Sequence, residues 1–411
     1  MLWGAAETAF ENALNKKLGR GELRIHAVFI PVSRAILWAK LVQMKGRVPM
    51  SARKRIVWFS GFQLLGSLLI ALSPLSGHAS QNYRVFVSNE KSGDITVING
   101  GDFKVLATIP LGKRPRGIHA SSDGKTVYVT LSGTPIATPS QLDAHGNPIF
   151  EKTKDDDDAA KADKSADAIG VVDVAQSKLT EKINAGSDPE EFALSKDGTK
   201  IYVANEDVKS ASVINIATAK VEHVVLVGQE PEGVAVTPDG KQFYVTCESG
   251  GDIFVVDAAS YKIVAQFKVE PRPRNAVFLS DAGIGFIPSE SVGKLNVIDT
   301  VNYKVLKTIT LPEGSRPMGV KLSPNGKMLY VSNGRGGTIS VIDSHTYAIL
   351  NTIKVGTRPW GIALSPDGKF LYSANGPSDD VSVVDLAANK EVARVKAGSG
   401  PWSIAVAVTS R

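Results

Sequence analysis

Short runs of alternating apolar and polar residues recur between residues 83 and 408. YRVFVSN, DITVIN and KVLATIPLG come first, punctuated by Gly, Asn and Pro. Alternation with period two, broken by turn residues, predicts half-buried strands. The runs fall into repeating sets. RPMGVKLSPNGKMLYVSN (residues 316–333) is followed by RPWGIALSPDGKFLYSAN (358–375) and preceded by QEPEGVAVTPDGKQFYVTC (229–247). Pro115, Pro189, Pro231, Pro273, Pro317, Pro359 and Pro401 mark the copies, at separations of 74, 42, 42, 44, 42 and 42 residues. A unit of this length with four strands is a propeller blade. The pattern predicts an all-β, seven-bladed β-propeller of four-stranded antiparallel blades. Strand A follows the proline, then B, C and D. The first repeat has B, C and D but no A, and the chain closes on PWSIAVAV, an A with nothing after it. The C-terminal strand is therefore expected to complete the N-terminal blade and remove two open sheet edges.

Two motifs punctuate the blades. Asp123-Gly124, Asp197-Gly198, Asp239-Gly240, Asn325-Gly326 and Asp367-Gly368 predict the A–B turn; SDAGIG, in the fourth complete copy, departs by a residue. Asp173, Asp257, Asp299, Asp343 and Asp385 end strand C. A carboxylate recurring once per blade before a turn is expected to cap that turn rather than to do chemistry.

The 74-residue gap leaves about 32 residues beyond one repeat. The excess, 132–167, falls in a B–C loop and contains KTKDDDDAAKADKSAD. Its charge predicts a flexible, solvated acidic insertion. Consecutive Asp residues lack the spaced ligands of a calcium loop, so no metal is expected there.

Residues 1–49 carry no propeller signal. Met50 opens MSARKRIVWFSGFQLLGSLLIALSPLSGHAS, with basic Arg53, Lys54 and Arg55, an apolar stretch over 56–75, and small residues at Gly77 and Ala79. That order is a secretory signal peptide. The reading divides the chain into 1–49 as an over-extended N-terminus, 50–79 as the signal and 80–411 as a periplasmic or secreted propeller. Left uncleaved, the apolar stretch is long enough to anchor the protein in a membrane.

Charge then changes the picture. The chain carries +6, but residues 1–79 hold 11 Lys/Arg against 3 Asp/Glu, which leaves −2 for the rest. No basic footprint points to nucleic acid. Cys247 is the single cysteine, which excludes an internal disulfide, a Cys-x-x-Cys-His haem site and a thiolate cluster. No cofactor is expected.

In a four-stranded meander the D–A connection and the B–C loop share one end, so the seven prolines and the insertion surround the channel mouth. Residues beside the prolines vary from blade to blade, as individual duties require. Arg114, Arg116, Arg358, Trp360 and Trp402 form a sector across the closure, with aromatic faces and cations suited to a flat anion. Glu190, Glu232, Arg272, Arg274 and Arg316 make a secondary rim, in which acidic and basic residues of neighbouring blades can pair. His119 stands where other blades have Ala193, Ala235, Ala363 and Ala405; Lys321 shares that column. No hydrolytic constellation emerges from the sequence.

The tetrads ending strand B, Tyr128-Val129-Thr130-Leu131, Tyr202-Val203-Ala204-Asn205, Tyr244-Val245-Thr246-Cys247 and Tyr330-Val331-Ser332-Asn333, resemble the YVTN family of β-propeller repeats over residues 83–408. Within it, DPEEFALSKDGTKIYVANED, EPEGVAVTPDGK and RPRNAVF look like periplasmic propellers associated with pyrroloquinoline-quinone-dependent alcohol catabolism; the insertion departs from them. Related propellers include lactonases and subunits of quinoprotein amine dehydrogenases. The resemblance implies fold and export and transfers no catalytic residue. The expected function is a non-catalytic binding or scaffold protein. Its partner would be a small anion or a periplasmic protein such as a quinoprotein dehydrogenase. The alternative is a lactonase-like hydrolase at the channel mouth.

The signal reading predicts cleavage after Ala79. N-terminal sequencing of the natural protein should begin at Ser80; a mature N-terminus at Met1 would contradict both the start site and the cleavage.

Overall fold

The structure is a computed structural model that describes residues 82–136 and 161–409, together with the backbone of four further short strands. Ile25–Val32 and Ala35–Val42 pair as an antiparallel hairpin in a unit of their own, 1–78. The signal segment lies outside the described residues.

Residues 79–411 form the second unit, seven four-stranded antiparallel sheets arranged as a propeller. Blade 1 takes strand A from Pro401–Val408 and strands B to D from Tyr83–Asn89, Asp94–Asn99 and Val105–Pro110. Its closing register runs from Tyr83 opposite Val408 to Asn89 opposite Pro401. Blades 2 to 7 follow in order, each from contiguous chain. Blade 5 is the irregular one. Its strand A shrinks to Val277–Phe278, and Ala282 adopts a left-handed φ of 59° in the displaced A–B turn. The regular turns put Gly there, for example Gly124 at 69°, because a Cβ is disfavoured in that region.

The core is divided among the gaps between blades. One buried apolar cluster fills each of the seven, from Phe86, Ile118 and Val129 between blades 1 and 2 to Val85, Tyr372 and Ile404 between blades 7 and 1. Strand alternation makes this possible. The third residue after each proline turns toward the preceding blade (Ile118, Phe192), and the fourth turns toward the following one (Ala363, Ala405).

The tetrad at the end of strand B has a physical explanation. Its tyrosine packs into the gap beyond its own blade, as Tyr202 and Tyr330 do. Its third residue clasps the next blade: the hydroxyls of Ser88, Thr130 and Ser332 donate to the carbonyls of Arg116 (2.6 Å), Glu190 (2.6 Å) and Trp360 (2.5 Å). Its asparagine ties the B–C turn, as when Asn375 Nδ2 donates to Asp380 (2.7 Å) and Ser382 (2.9 Å). The strand-C aspartates do cap turns: Asp343 Oδ1 accepts from the amides of His345 (3.0 Å) and Thr346 (2.7 Å), and Asp257 from that of Ser260 (2.8 Å).

The insertion is anchored at both ends. Ser132 is buried and donates to Asp188, while Asp167 accepts from the amides of Gly133 (2.7 Å) and Asp188 (3.2 Å). Burial raises the Asp167 pKa although those amides oppose it. Between these ends lies a short pair, Gln141–Leu142 with Pro148–Ile149.

Truncation after Gly400 should abolish cooperative folding. It exposes the edge of strand B in blade 1 and removes buried Ile404 and Trp402, at about 1.5–3 kcal/mol for each apolar side chain. Thermal melts of intact and truncated protein decide the matter; an unchanged Tm would mean the ring closes by other means.

Candidate functional site

The D–A connections and the ends of strand B surround the channel mouth. The residue before each proline has positive φ: Arg114 (41°), Asp188 (49°), Glu230 (51°), Arg272 (55°), Arg316 (55°), Arg358 (51°) and Gly400 (69°). Six of the seven are charged side chains in a region that costs about 1 kcal/mol or more without glycine. Propeller packing holds them there, in a ring around the opening.

The rim divides into two sectors. In blades 4 to 7, Arg274 is a buried hub. It pairs with Glu232 (2.5 Å), Glu248 and Glu290, and these carboxylates raise its pKa further against the effect of burial. Arg272 adds contacts to Glu248 (2.6 Å) and Glu290 (3.7 Å), and Arg316 reaches Glu290 at 3.5 Å. Burial opposes ionisation of Glu290, but Arg274, Arg272 and Arg316 outweigh it and hold its pKa at about 2. Arg358 lies among these arginines. Desolvation lowers its pKa, Glu290 opposes the shift, and the neighbouring arginines add to it.

The other sector is acidic. Arg116 lies between Glu90 (3.2 Å) and the fully buried Glu190. Arg114 also pairs with Glu90 (3.1 Å) and donates to the Thr134 carbonyl (2.7 Å), joining the base of the insertion to the rim. Asp188, Glu190 and Glu206 bring carboxylate oxygens within 4.8 Å of one another. Two of the three are already committed, Glu190 to Arg116 and Asp188 to Ser132. Burial lifts Glu206 to about 8; Arg116 opposes the shift, while Glu232, Asp188 and Glu230 reinforce it.

Of the sequence-derived sector across the closure, Trp360, Trp402, Arg116 and Arg358 lie together, while Arg114 turns to Glu90 and the Thr134 carbonyl. The rings of Trp360 and Trp402 lie 5.3 Å apart, tilted at 48°. Arg116 covers Trp402 at 5.7 Å, and Arg358 and Arg274 cover Trp360 at 5.2 and 5.8 Å. The two tryptophans differ in access. Trp402 is 7% exposed and packed under Arg116, whereas Trp360 keeps accessible surface.

Below the rim a cavity of about 70 Å³ opens into the channel. Its walls come from the first four positions after the prolines: Glu232, Arg274, Met318, Trp360 and Trp402 at the mouth, and below them second-position residues together with His119 and Lys321 at the fourth. The second-position column reads Gly117, Glu191, Gly233, Asn275, Gly319, Gly361 and Ser403. Glycine is needed where neighbouring strands A converge. A Cβ on Gly361 would stand 2.6 Å from Ser403 Cα, and one on Gly117 would stand 2.7 Å from Glu191 Oε1 and 2.9 Å from the Glu190 carbonyl oxygen. The fourth-position column is alanine in four blades, with His119, Val277 and Lys321 as exceptions. Five polar side chains, Glu191, Asn275, Ser403, His119 and Lys321, thus interrupt two columns of mostly small residues. His119 and Lys321 were visible as exceptions in the sequence. Glu191 and Asn275 were missed, although reading the second-position column in the same way would have found them.

Two of the five are joined. His119 Nε2 and Glu191 Oε1 lie 2.8 Å apart, and Oε1 also accepts from the Phe192 amide at 3.1 Å. The imidazole is further fixed by edge-on contact with Phe192, at 4.7 Å and 82°. Asn275 Oδ1 accepts from the Ala276 amide (2.7 Å), leaving its Nδ2 group as a donor. Cys247 is buried away from this wall, its thiol pushed up to about 12 by desolvation.

Comparison with known proteins agrees with the fold. Residues 148–284 match a family described as YNCE-like beta-propeller, and 228–399 match one described as Lactonase, 7-bladed beta-propeller. No curated protein matches the chain. Among solved structures, the periplasmic gluconolactonase of Pseudomonas aeruginosa is 20% identical with TM-score 0.61, covering 80% of this chain and 100% of that one. Hydrazine synthase of Kuenenia stuttgartiensis is 20% identical with TM-score 0.61, covering 74% and 92%. A functionally unknown protein of Desulfotomaculum acetoxidans is 14% identical with TM-score 0.65, covering 80% and 99%. The chain is a seven-bladed β-propeller with lactonase-like and YNCE-like segments.

Glu206 makes the rim pH-sensitive. Its folded-state pKa of about 8 lies above the ordinary 4.5, so the folded form binds more protons and stability falls as pH rises between those values. Glu206→Gln should therefore raise Tm at about pH 9 and leave it nearly unchanged at about pH 5. Equal effects at both pH values would show that Glu206 is not held protonated.

Proposed function

We propose that the channel hydrolyses a cyclic ester, with His119 as general base and Glu191 as the group that orients it. The observation that carries this reading is the 2.8 Å His119–Glu191 hydrogen bond in the wall of an accessible cavity. The lactonase match over 228–399 supports it over a non-catalytic scaffold. An ionised Glu191 accepts the Nε2 proton of His119 and leaves the other ring nitrogen basic. A water attacking the lactone carbonyl gives its proton to that nitrogen. The tetrahedral oxyanion then collapses, the ring C–O bond breaks, and His119 returns the proton to the departing alkoxide. One water is consumed and one hydroxy acid is formed. Asn275 Nδ2 is the candidate donor to the oxyanion.

The rim selects and holds the substrate. Trp360, which keeps accessible surface, offers an apolar contact to a sugar-like ring, and the basic sector around Arg358 supplies positive charge for an anionic group or for the product carboxylate. Export to the periplasm fits the apolar segment at 56–75 and the periplasmic gluconolactonase among the similar structures.

Proton release from glucono-δ-lactone, followed above the spontaneous rate, tests the proposal. The protein should accelerate it. His119→Asn should lower kcat by roughly 10²–10⁴-fold without loss of Tm, and Glu191→Gln by a smaller factor. No acceleration with any of a panel of five- and six-membered lactones would return the rim to a purely binding role.

A further inference from the structure

Lys321 has no part in the chemistry above. It interrupts the alanine column in blade 6 and lines the cavity. Around the ring it stands three blades from His119 by the shorter arc, close to the opposite wall. Among the described residues its amine has neither a hydrogen-bond nor an ion-pair partner, and Glu191 acts on it only through space. A lysine that merely filled the wall would gain by meeting a carbonyl or a carboxylate, since a half-buried ammonium without a protein partner is disfavoured. Desolvation accordingly draws Lys321 below the usual lysine range, with Glu191 opposing. An amine in that condition is a nucleophile.

We propose that Lys321 is a covalent carbonyl-capture site, whose Nζ condenses with a small aldehyde or keto acid entering through the mouth. The Nζ lone pair forms a C–N bond to the carbonyl carbon, and the oxygen takes up the proton lost by nitrogen, giving a carbinolamine. The C–O bond then breaks, the second nitrogen proton leaves with the hydroxyl as water, and an imine remains. No oxidant or metal is needed. His119, already coupled to Glu191, is the group in the cavity suited to carry these protons. The arginine-rich sector around Arg358 and Arg316 favours a carbonyl compound that also bears a carboxylate. The proposal stands whether or not the channel hydrolyses lactones.

Glyoxylate with cyanoborohydride near neutral pH converts an imine into a stable carboxymethyl-lysine, which peptide mass spectrometry locates. In the folded full-length protein, Lys321 should be modified at least about tenfold faster than exposed Lys104 and Lys125. In denaturant the difference should vanish, and Lys321→Arg should remove the fast adduct. Labelling of Lys321 no faster than that of the exposed lysines in the folded protein would overturn the proposal, even if the arginine variant failed to fold.

Discussion

Seven strands converge on one axis, and the space between their backbones limits everything else. At the second position after the proline, a neighbouring strand comes so near that an added Cβ on Gly361 would meet backbone at 2.6 Å. Glycine is therefore the default there. A larger side chain survives only where the neighbouring position yields. Glu191 is followed around the ring by Gly233 and preceded by Gly117, and Asn275 stands between Gly233 and Gly319. The packing rule that closes the ring is thus also what isolates the polar side chains. Each one projects from a strand whose backbone sets its position.

Above this wall the rim solves a different problem. D–A connections force charged residues into left-handed backbone around a narrow opening, where like charges would repel. The solution is pairing of opposite charges across neighbouring blades, as Arg116 pairs with Glu190 and Arg274 with Glu232. Arg274 holds three carboxylates, and Glu290 is surrounded by guanidinium groups that keep it ionised. Glu206 lacks such a set and is pushed up to about 8. Breaking a buried pair of this kind costs far more than the pair contributes to stability, because one charge is left behind. The network therefore makes the mouth a fixed shape with an acidic and a basic side, rather than a source of large net stability.

The repeat made blades, strand order and closure legible, because one packing solution is written seven times. The same regularity exposed His119 and Lys321, which break the alanine column. Legibility stopped where an interaction joins blades. Glu191 reads as part of an acidic DPEE run, and nothing in that run says that its carboxylate meets His119 in the preceding blade. The rim arginines and tryptophans could be placed in one sector from the repeat alone. That Arg114 and Arg116 share Glu90, and that Trp402 is buried while Trp360 keeps some accessible surface, depends on side-chain directions that a spacing rule does not carry. Asp167 reads as the end of a solvated charge run. It is buried and accepts from two amides, that of Gly133 at the insertion base and that of Asp188 before the next blade's proline.

The central claim is that the channel wall, with its five polar interruptions, is the site where a small molecule is bound. A crystal structure with an aldonic acid, the product of the proposed hydrolysis, tests this most directly. The account predicts the ligand inside the cavity, with its carboxylate or hydroxyls within hydrogen-bond reach of His119, Glu191 or Asn275 and its ring-derived carbons against Trp360. A well-ordered, empty channel at millimolar ligand, or a ligand bound only on the outer strands, would contradict it.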